Sequence, residues 1–422
     1  MLKELKLINW KSFQETSLFI DPLTVIIGLN ASGKSNALDA LEFLRRTGLG
    51  LDFSAALGGD ARFAPMRGGA EWAPRIGTKS FTVECLVEGL PDEADYYYKL
   101  TVDMTGSRPE LFFESLRARW HKPTPGTPPE SKLFEFAVLP GTTIASASTY
   151  PQVNARPISV RNFHRSSSLL SQLNLTGIDS DFIKMGVQKV SAAFRDIFIL
   201  DPSPGRMRAY VPFAETLLSD GSNTAGVLAA LDERESAQVE RSFEQYLSRF
   251  AERDLMEVWA EPVGKFKQDA MLYCREQWIP EQPPMEIDAR GMSDGTLRFV
   301  AIITALMTRP RGSLLVIEEV DNGLHPSRAR LMLEMLKSVA TERGIDVLVT
   351  THNVALLDAL GPDMLPFVQA AHRDPKTGGT LLTPIQDLSD LPKLLAVAPL
   401  GRLASQGLLE QSLIRDAEEP TS

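Results

Sequence analysis

Eight residues near the N-terminus, Gly28-Leu29-Asn30-Ala31-Ser32-Gly33-Lys34-Ser35, carry the spacing GxxxxGK[ST]. Glycines at both ends let the backbone turn tightly enough for its amides to wrap phosphate groups. A lysine then neutralises their charge and a hydroxyl holds Mg²⁺. Far down the chain, Ser313 to Glu319 reads SLLVIEE, an apolar run ending in two carboxylates. Alone this is an ordinary strand end. Beside a phosphate-binding loop it is the pair a nucleotide site needs: Glu318 on the Mg²⁺ side, and Glu319 as general base or as the residue orienting the attacking water. His352 follows a second apolar run, Val347 to Val349. It is either a γ-phosphate contact or a structural histidine. Ser293-Asp294-Gly295 immediately precedes the apolar stretch LRFVAIITALM. Ser293 there is an N-cap, either a plain one or one whose free amides form an anion site.

Those residues need a frame. Leu23 to Ile27 reads as a buried strand running into the glycine loop, and from Lys34 the spacing Ala37, Leu38, Leu41, Leu44 is helical. The order strand, loop, helix aims the positive end of the helix dipole at the same anions. After residue 290, SDGTLRFVAIITALMT, SLLVIEEV, SRARLMLEMLKSVATERG and DVLVTTHN alternate helix and strand, as a parallel sheet requires. Between about residues 80 and 140, FTVECLVEG, YYYKLTVDMTG, LFFESLRARWH and KLFEFAVLPG read as an antiparallel sheet, with the four-proline stretch HKPTPGTPPES as a loop. From about 165 to 285 the pattern reads as helical, with mixed charge on the polar face and no heptad array, hence a short lid rather than a coiled-coil arm. LPFVQAAHRDPKTGGTLLTPI reads as a hairpin, and Leu391 to about Leu413 as an amphipathic tail.

The 422-residue chain has 43% hydrophobic and 23% charged residues, ordinary values for a sequence that folds throughout. Its net charge of −10, without a Lys/Arg run, counts against tight autonomous nucleic-acid binding but not against a basic groove. Cys85 and Cys274 stand far apart and in no CxxC pair, so neither a disulfide framework nor a zinc site is expected. No targeting signal or membrane span is read, and a cytoplasmic location is expected.

Taken in order, these motifs resemble the head of an ABC-type ATPase of the RecF, structural-maintenance-of-chromosomes (SMC) and OLD-like AAA group. Gly28 to Ser35 resembles Walker A, with Asn30 in its loop and Asn36 completing the GKSN ending common in RecF and SMC heads. Ser293-Asp294-Gly295 resembles the signature motif, Glu318-Glu319 Walker B, Asp321-Asn322 through His325-Pro326 the D-loop region, and His352 the switch histidine. Glu318 departs from the usual aspartate by a methylene, and the Q-loop glutamine is unassigned. The resemblance implies an α/β fold: an ABC-type head with a mixed and parallel P-loop sheet, an antiparallel β subdomain and a helical lid. The division it suggests is an N-terminal lobe over 1–165, the lid over 166–285, a C-terminal lobe over 286–370 and a hairpin with helical tail over 371–422. ATP and Mg²⁺ are the implied cofactors. Gly28, Asn30, Gly33, Lys34, Ser35, Asn36, Ser293, Asp294 and Gly295 would bind nucleotide, Ser35 and Glu318 the metal, and Glu319 and His352 would act in catalysis.

In such heads the signature segment of one subunit caps ATP held by the P-loop of the other, which implies a homodimer and leaves higher oligomers open. OLD-type nucleases carry a further nuclease domain after the ATPase. The 70 residues beyond His352 are too few for it, and Asp179-Ser180-Asp181 lies before the signature, so no nuclease activity of its own is expected. A transporter ATPase fits the GKSN ending and SDGT signature less well. Similar stand-alone ATPases occur in bacterial anti-phage defence, coupled to a nuclease or other effector protein encoded nearby, and the resemblance implies such a partner here. The alternative is a RecF-like repair ATPase that binds or clamps DNA.

Overall fold

Leu23–Ile27 is buried at every position, as befits a central parallel strand covered on both faces. The computed structural model describes residues 1–90, 93–122, 128–138, 145–160, 163–175, 180–250, 255–279, 281–322 and 328–418. In it this strand lies between Asp346–Thr351 and Val368–Arg373, parallel to both. Beyond Asp346–Thr351 follow Leu314–Ile317 and then Ile197–Leu200, again parallel. Alternate residues of the central strand feed two cores. Val25 and Ile27 join Leu297 and Val300 of helix Asp294–Thr308 on one face, and Ile26 joins Leu38 and Leu41 of helix Lys34–Gly48 on the other.

The parallel strands do not stop at an edge. Val368–Arg373 turns back through Thr380–Pro384, which meets Phe13–Phe19 at Thr380. From there Leu2–Trp10, Ser80–Leu90, Ala94–Asp103, Glu110–Trp120, Glu130–Val138, Ala145–Thr149 and Ile158–Ser159 continue antiparallel, making one 14-stranded sheet. The hairpin read near residue 370 is therefore the splice between the two halves. The four strands read between 80 and 140 are present. Of the proline-rich stretch that joins two of them, residues 123–127 lie outside the described residues, as do Asp179, His325 and Pro326.

The segment 166–285 departs from the helical expectation. Helices Asp181–Arg195, Thr224–Ala230 and Glu233–Phe250 are there, but Ile197–Leu200 belongs to the main sheet. Val211–Pro212, Leu255–Val263, Asp269–Glu276 and Met285–Asp288 form a separate four-stranded antiparallel sheet. Its strands are selected by partners across the sheet: Trp259 stands opposite Tyr273 with ring centroids 5.9 Å apart, and Arg275 lies over the indole. Cross-strand pairs of this kind supply much of a strand's stability and leave no periodic trace along the chain. The tail is three short helices, Leu391–Val397, Leu400–Ser405 and Leu408–Glu418, interrupted at Pro399 and Gly407. Among the described residues no helix is long and apolar enough to cross a membrane.

One buried group makes stability depend on pH. Glu114 is fully enclosed and accepts hydrogen bonds from Tyr98 Oη (3.0 Å) and from the amides of Leu169 and Leu170. Burial outweighs those donors and pushes its pKa up to about 7. A carboxyl whose folded pKa lies above its unfolded value binds its proton more tightly in the folded state. Its contribution is therefore full below the unfolded pKa, near 4.5, and is lost as pH rises toward 7. Asp346, pushed up to about 6 by burial, acts in the same direction, whereas burial lowers His372, which acts oppositely. Comparing thermal unfolding of wild type and Glu114→Gln isolates the first term. The stability difference between the two should shift in favour of Glu114→Gln between pH 4.5 and 7 and stay flat above pH 8.

Candidate nucleotide site

Register brings the distant motifs together. Ile27 pairs with Thr351, and Ile317 with Val349. Gly28, Glu318 and His352 therefore leave the same, carboxyl, end of adjacent parallel strands, where open α/β sheets bind ligands. Both loop glycines are required as glycine. Gly28 has φ +149° and Gly33 φ +106°; a Cβ on Gly28 would lie 2.5 Å from the Ala371 carbonyl oxygen, and one on Gly33 would lie 2.6 Å from Thr380 Oγ1. Helix Lys34–Gly48 begins directly after Gly33 with no side-chain cap and no acidic residue in its first turn, so its N-terminal amides are suited to an anion. Lys34 Nζ donates to the carbonyl oxygens of Gly28 (2.7 Å) and Leu29 (3.0 Å), folding the ammonium over the loop. Burial lowers its pKa, partly opposed by Glu319, Glu318 and Asp321.

Ser35 Oγ donates to Glu318 Oε1 at 2.7 Å. Two oxygens bound in adjacent positions of an octahedral Mg²⁺ at about 2.1 Å would stand about 3 Å apart. The hydroxyl and carboxylate are thus already paired as a hard cation would need them. Arg67 grips the same carboxylate in two-pronged fashion, Nη1 to Oε1 at 3.1 Å and Nη2 to Oε2 at 2.9 Å. Its Nε lies 3.3 Å from Asp39, which also binds Lys11. Burial would raise Glu318, but the hydrogen bonds from Arg67 and Ser35 win and hold it below the usual carboxylate range.

Glu319 has φ +48°, a left-handed backbone that a non-glycine residue seldom adopts and that clusters at functional sites. Its amide donates to Thr350 Oγ1 (2.9 Å), its Oε2 accepts from Asn322 Nδ2, and its Oε1 stands 3.8 Å from His352 Nδ1. Both side chains are substantially exposed, so neither is locked away from a substrate. Residues 30–36, Glu318, Glu319, Thr350 and Arg373 surround a cavity of about 320 Å³.

Five sequence-selected residues lie outside the wall of that cavity: Gly28 and His352, which border a neighbouring cavity, and Ser293, Asp294 and Gly295. Ser293 caps helix Asp294–Thr308, accepting from the Thr296 amide at 3.1 Å, and Asp294 pairs with Arg208 at 2.8 Å. Ser293, Asp294 and Gly295 are not in the cavity wall. Asn36 lines it, yet its side-chain amide donates to Ser12 Oγ and its carbonyl accepts from Trp10 Nε1, both at 2.8 Å, so it also ties the loop to the N-terminal hairpin. Sequence reading missed Arg67, Asp39, Lys11, Thr350 and Arg373. Only Arg67 left a local trace, a basic residue before Gly68-Gly69.

The sequence profile of the family described as "AAA domain, putative AbiEii toxin, Type IV TA system" matches residues 23–358, from the strand before the loop to the helix after His352. The chain belongs to this AAA-domain family. Over 74 residues this AAA-domain chain is also 35% identical to the methionine import ATP-binding protein MetN of Corynebacterium jeikeium, and the match spans a fifth of that protein's length. The fold is that of an SMC head. An SMC head solved with the C-winged helix domain of ScpA superposes with a TM-score of 0.50 and 13% identity, over 91% of this chain and 98% of that one. The SMC head of Thermotoga maritima gives a TM-score of 0.40 at 16% identity, over 91% and 98%. The AAA-domain chain thus has the fold of an ABC-type ATPase head.

Proposed function

We propose that this chain binds and hydrolyses ATP with Mg²⁺, closes into a homodimer around the nucleotide, and through that closure regulates an effector protein, a nuclease, in anti-phage defence. The observation that carries the ATPase part is the pairing of Ser35 with Glu318 at 2.7 Å, with Glu319 and His352 next along the same sheet edge. In this reading Lys34 and the loop amides hold the phosphates, and Ser35 and Glu318 would hold the metal, which would supply positive charge beside the γ-phosphate. Glu319 orients and deprotonates the water, and His352 contacts the γ-phosphate. Asn30 and Asn36 shape the loop. The metal's charge would also displace Arg67 from Glu318, since cation and guanidinium compete for the same oxygens.

The dimer is supported by Ser293. Ser293 and the helix start it caps lie outside the cavity of their own subunit, which leaves them free to face a nucleotide held by another. A role alongside a second gene product is supported by the family's description, which names a type IV toxin–antitoxin system.

Two variants test the shared site together. Lys34→Ala removes the phosphate clamp and Ser293→Arg blocks the cap, so neither homodimer should close on ATP. A mixture has one composite site intact, made of the Ser293→Arg subunit's loop and the Lys34→Ala subunit's Ser293. Differently tagged variants should therefore co-purify only when ATP is present. Failure to pair, with each variant folded, rules out the shared site.

A further inference from the structure

Glu318 Oε1, the oxygen that meets Ser35, already has its full set of partners. A carboxylate oxygen offers two lone pairs. On Oε1 one accepts from the Ser35 hydroxyl at 2.7 Å and the other from Arg67 Nη1 at 3.1 Å, while Oε2 accepts from Arg67 Nη2 at 2.9 Å. With the Ser35 hydrogen bond in place, a cation between Ser35 Oγ and Oε1 needs the lone pair that Arg67 holds. Arginine and metal therefore exclude each other at this oxygen.

The approach of Arg67 is set by two further contacts. Its Nε stands 3.3 Å from Asp39 Oδ1, and its carbonyl accepts from Lys11 Nζ at 2.7 Å. Lys11 sits in the tight turn between the first two strands with φ +48°, and its amide donates to the Ala73 carbonyl at 2.9 Å. In the same turn Ser12 Oγ accepts from Asn36, at the start of helix Lys34–Gly48, and the Ser12 carbonyl accepts from the Thr380 amide. One turn thus fixes both the phosphate loop and the backbone of Arg67. The Arg67 side chain itself is more than half exposed, so it can give up Glu318, keep Asp39 and break no packing.

The charged side chains of the cavity wall, Lys34 and Arg373 against Glu318 and Glu319, balance. Arg67, bound to Glu318 from outside the wall, tips the total positive. A site of that sign attracts a polyanion and repels a lone dication. We infer that Arg67 is a guard and positioning residue for the metal: it holds both oxygens of Glu318 until phosphates bring enough negative charge to draw a cation in. The guard role rests on the proposed reading of Ser35 and Glu318 as metal ligands, and it adds a condition, that metal binding requires nucleotide.

Mn²⁺, which like Mg²⁺ takes oxygen ligands in octahedral array, is titrated into the full-length protein without nucleotide and followed by electron paramagnetic resonance. Arg67→Gln should bind it about tenfold tighter or more than wild type, since a unit charge beside a dication counts that much even where water screens the pair. Arg67→Met, which keeps the aliphatic stem, should show the same gain. Adding Glu318→Gln should abolish the gain and so place the ion at Glu318. Replacing a merely structural arginine would lower thermal stability without raising metal affinity. With a saturating non-hydrolysable ATP analogue, wild type should bind Mn²⁺ and Glu318→Gln should bind it more weakly. Equal affinity in wild type and both Arg67 variants, or a gain that survives Glu318→Gln, overturns the guard. Wild type that binds Mn²⁺ as well without the analogue as with it overturns the guard too. If Glu318→Gln leaves Mn²⁺ binding unchanged in the analogue-loaded protein, Glu318 is no metal ligand, and the reading beneath the guard falls with it.

Discussion

Glu319→Gln stops ATP turnover and leaves ATP bound. General-base action contributes about 10²- to 10⁴-fold to such steps, and that is the expected fall in the single-turnover rate. The substitution is conservative in shape. A glutamine oxygen still accepts from Asn322, the backbone amide still donates to Thr350, and the left-handed φ of +48° is held by the chain on either side. The charge is what goes, and with it the ability to take a proton from water. Because the loop, Ser35 and Glu318 are untouched, nucleotide and metal affinity should stay within a few-fold of wild type. A head that closes on ATP and opens on hydrolysis should then remain closed. Light scattering with saturating ATP and Mg²⁺ should report a dimer for the variant where wild type returns to monomer as ATP is consumed. A variant that stays monomeric with ATP bound removes the sandwich from the reading and leaves the ATPase standing. One that still hydrolyses at the wild-type rate removes Glu319 from the chemistry.

What was legible in the sequence is what local spacing controls. Leu23 to Ile27 followed by Gly28 reads as a strand entering a loop because four apolar residues and a β-branched threonine run straight into a glycine, and Lys34 opens a helix because Ala37, Leu38, Leu41 and Leu44 recur at helical spacing. Ser293, Glu319 and His352 could be singled out because each follows or precedes such an element. Arg67 could not be found that way. It meets Glu318 across 251 positions of sequence, and nothing in its neighbourhood records the carboxylate it will grip. The second sheet was invisible for the same reason, since Trp259 and Tyr273 become a pair only after the chain reverses between them. The splice near residue 370 was legible as a hairpin but not as the link that carries Thr380 under Gly33. Glycine at position 33 thus answers two demands: a backbone conformation, written in the motif, and a close neighbour 347 residues away, which is not.

Lys34→Ala removes ATP binding altogether at working concentrations. Its ammonium is only partly solvated, and burial already lowers its pKa, so it arrives at the phosphates with less water to shed than a surface lysine. Contacts between an ammonium and phosphate oxygens are charge-assisted, each contributing about 1.5–3 kcal/mol. Losing one or two of them predicts a Kd weaker by about 10²-fold or more. A second loss adds to the first. Without Nζ, the carbonyls of Gly28 and Leu29 lose the donor that holds the loop in shape at 2.7 and 3.0 Å, so the amides no longer converge on one anion. Lys34→Arg should not rescue, because the guanidinium is too broad to sit under those two carbonyls and reach a phosphate as a point charge. Calorimetry with ATP and Mg²⁺ measures the loss directly, with circular dichroism to show that the helix Lys34–Gly48 persists. Binding within threefold of wild type would mean that the loop amides alone carry the phosphate, and that Lys34 serves only to brace the loop.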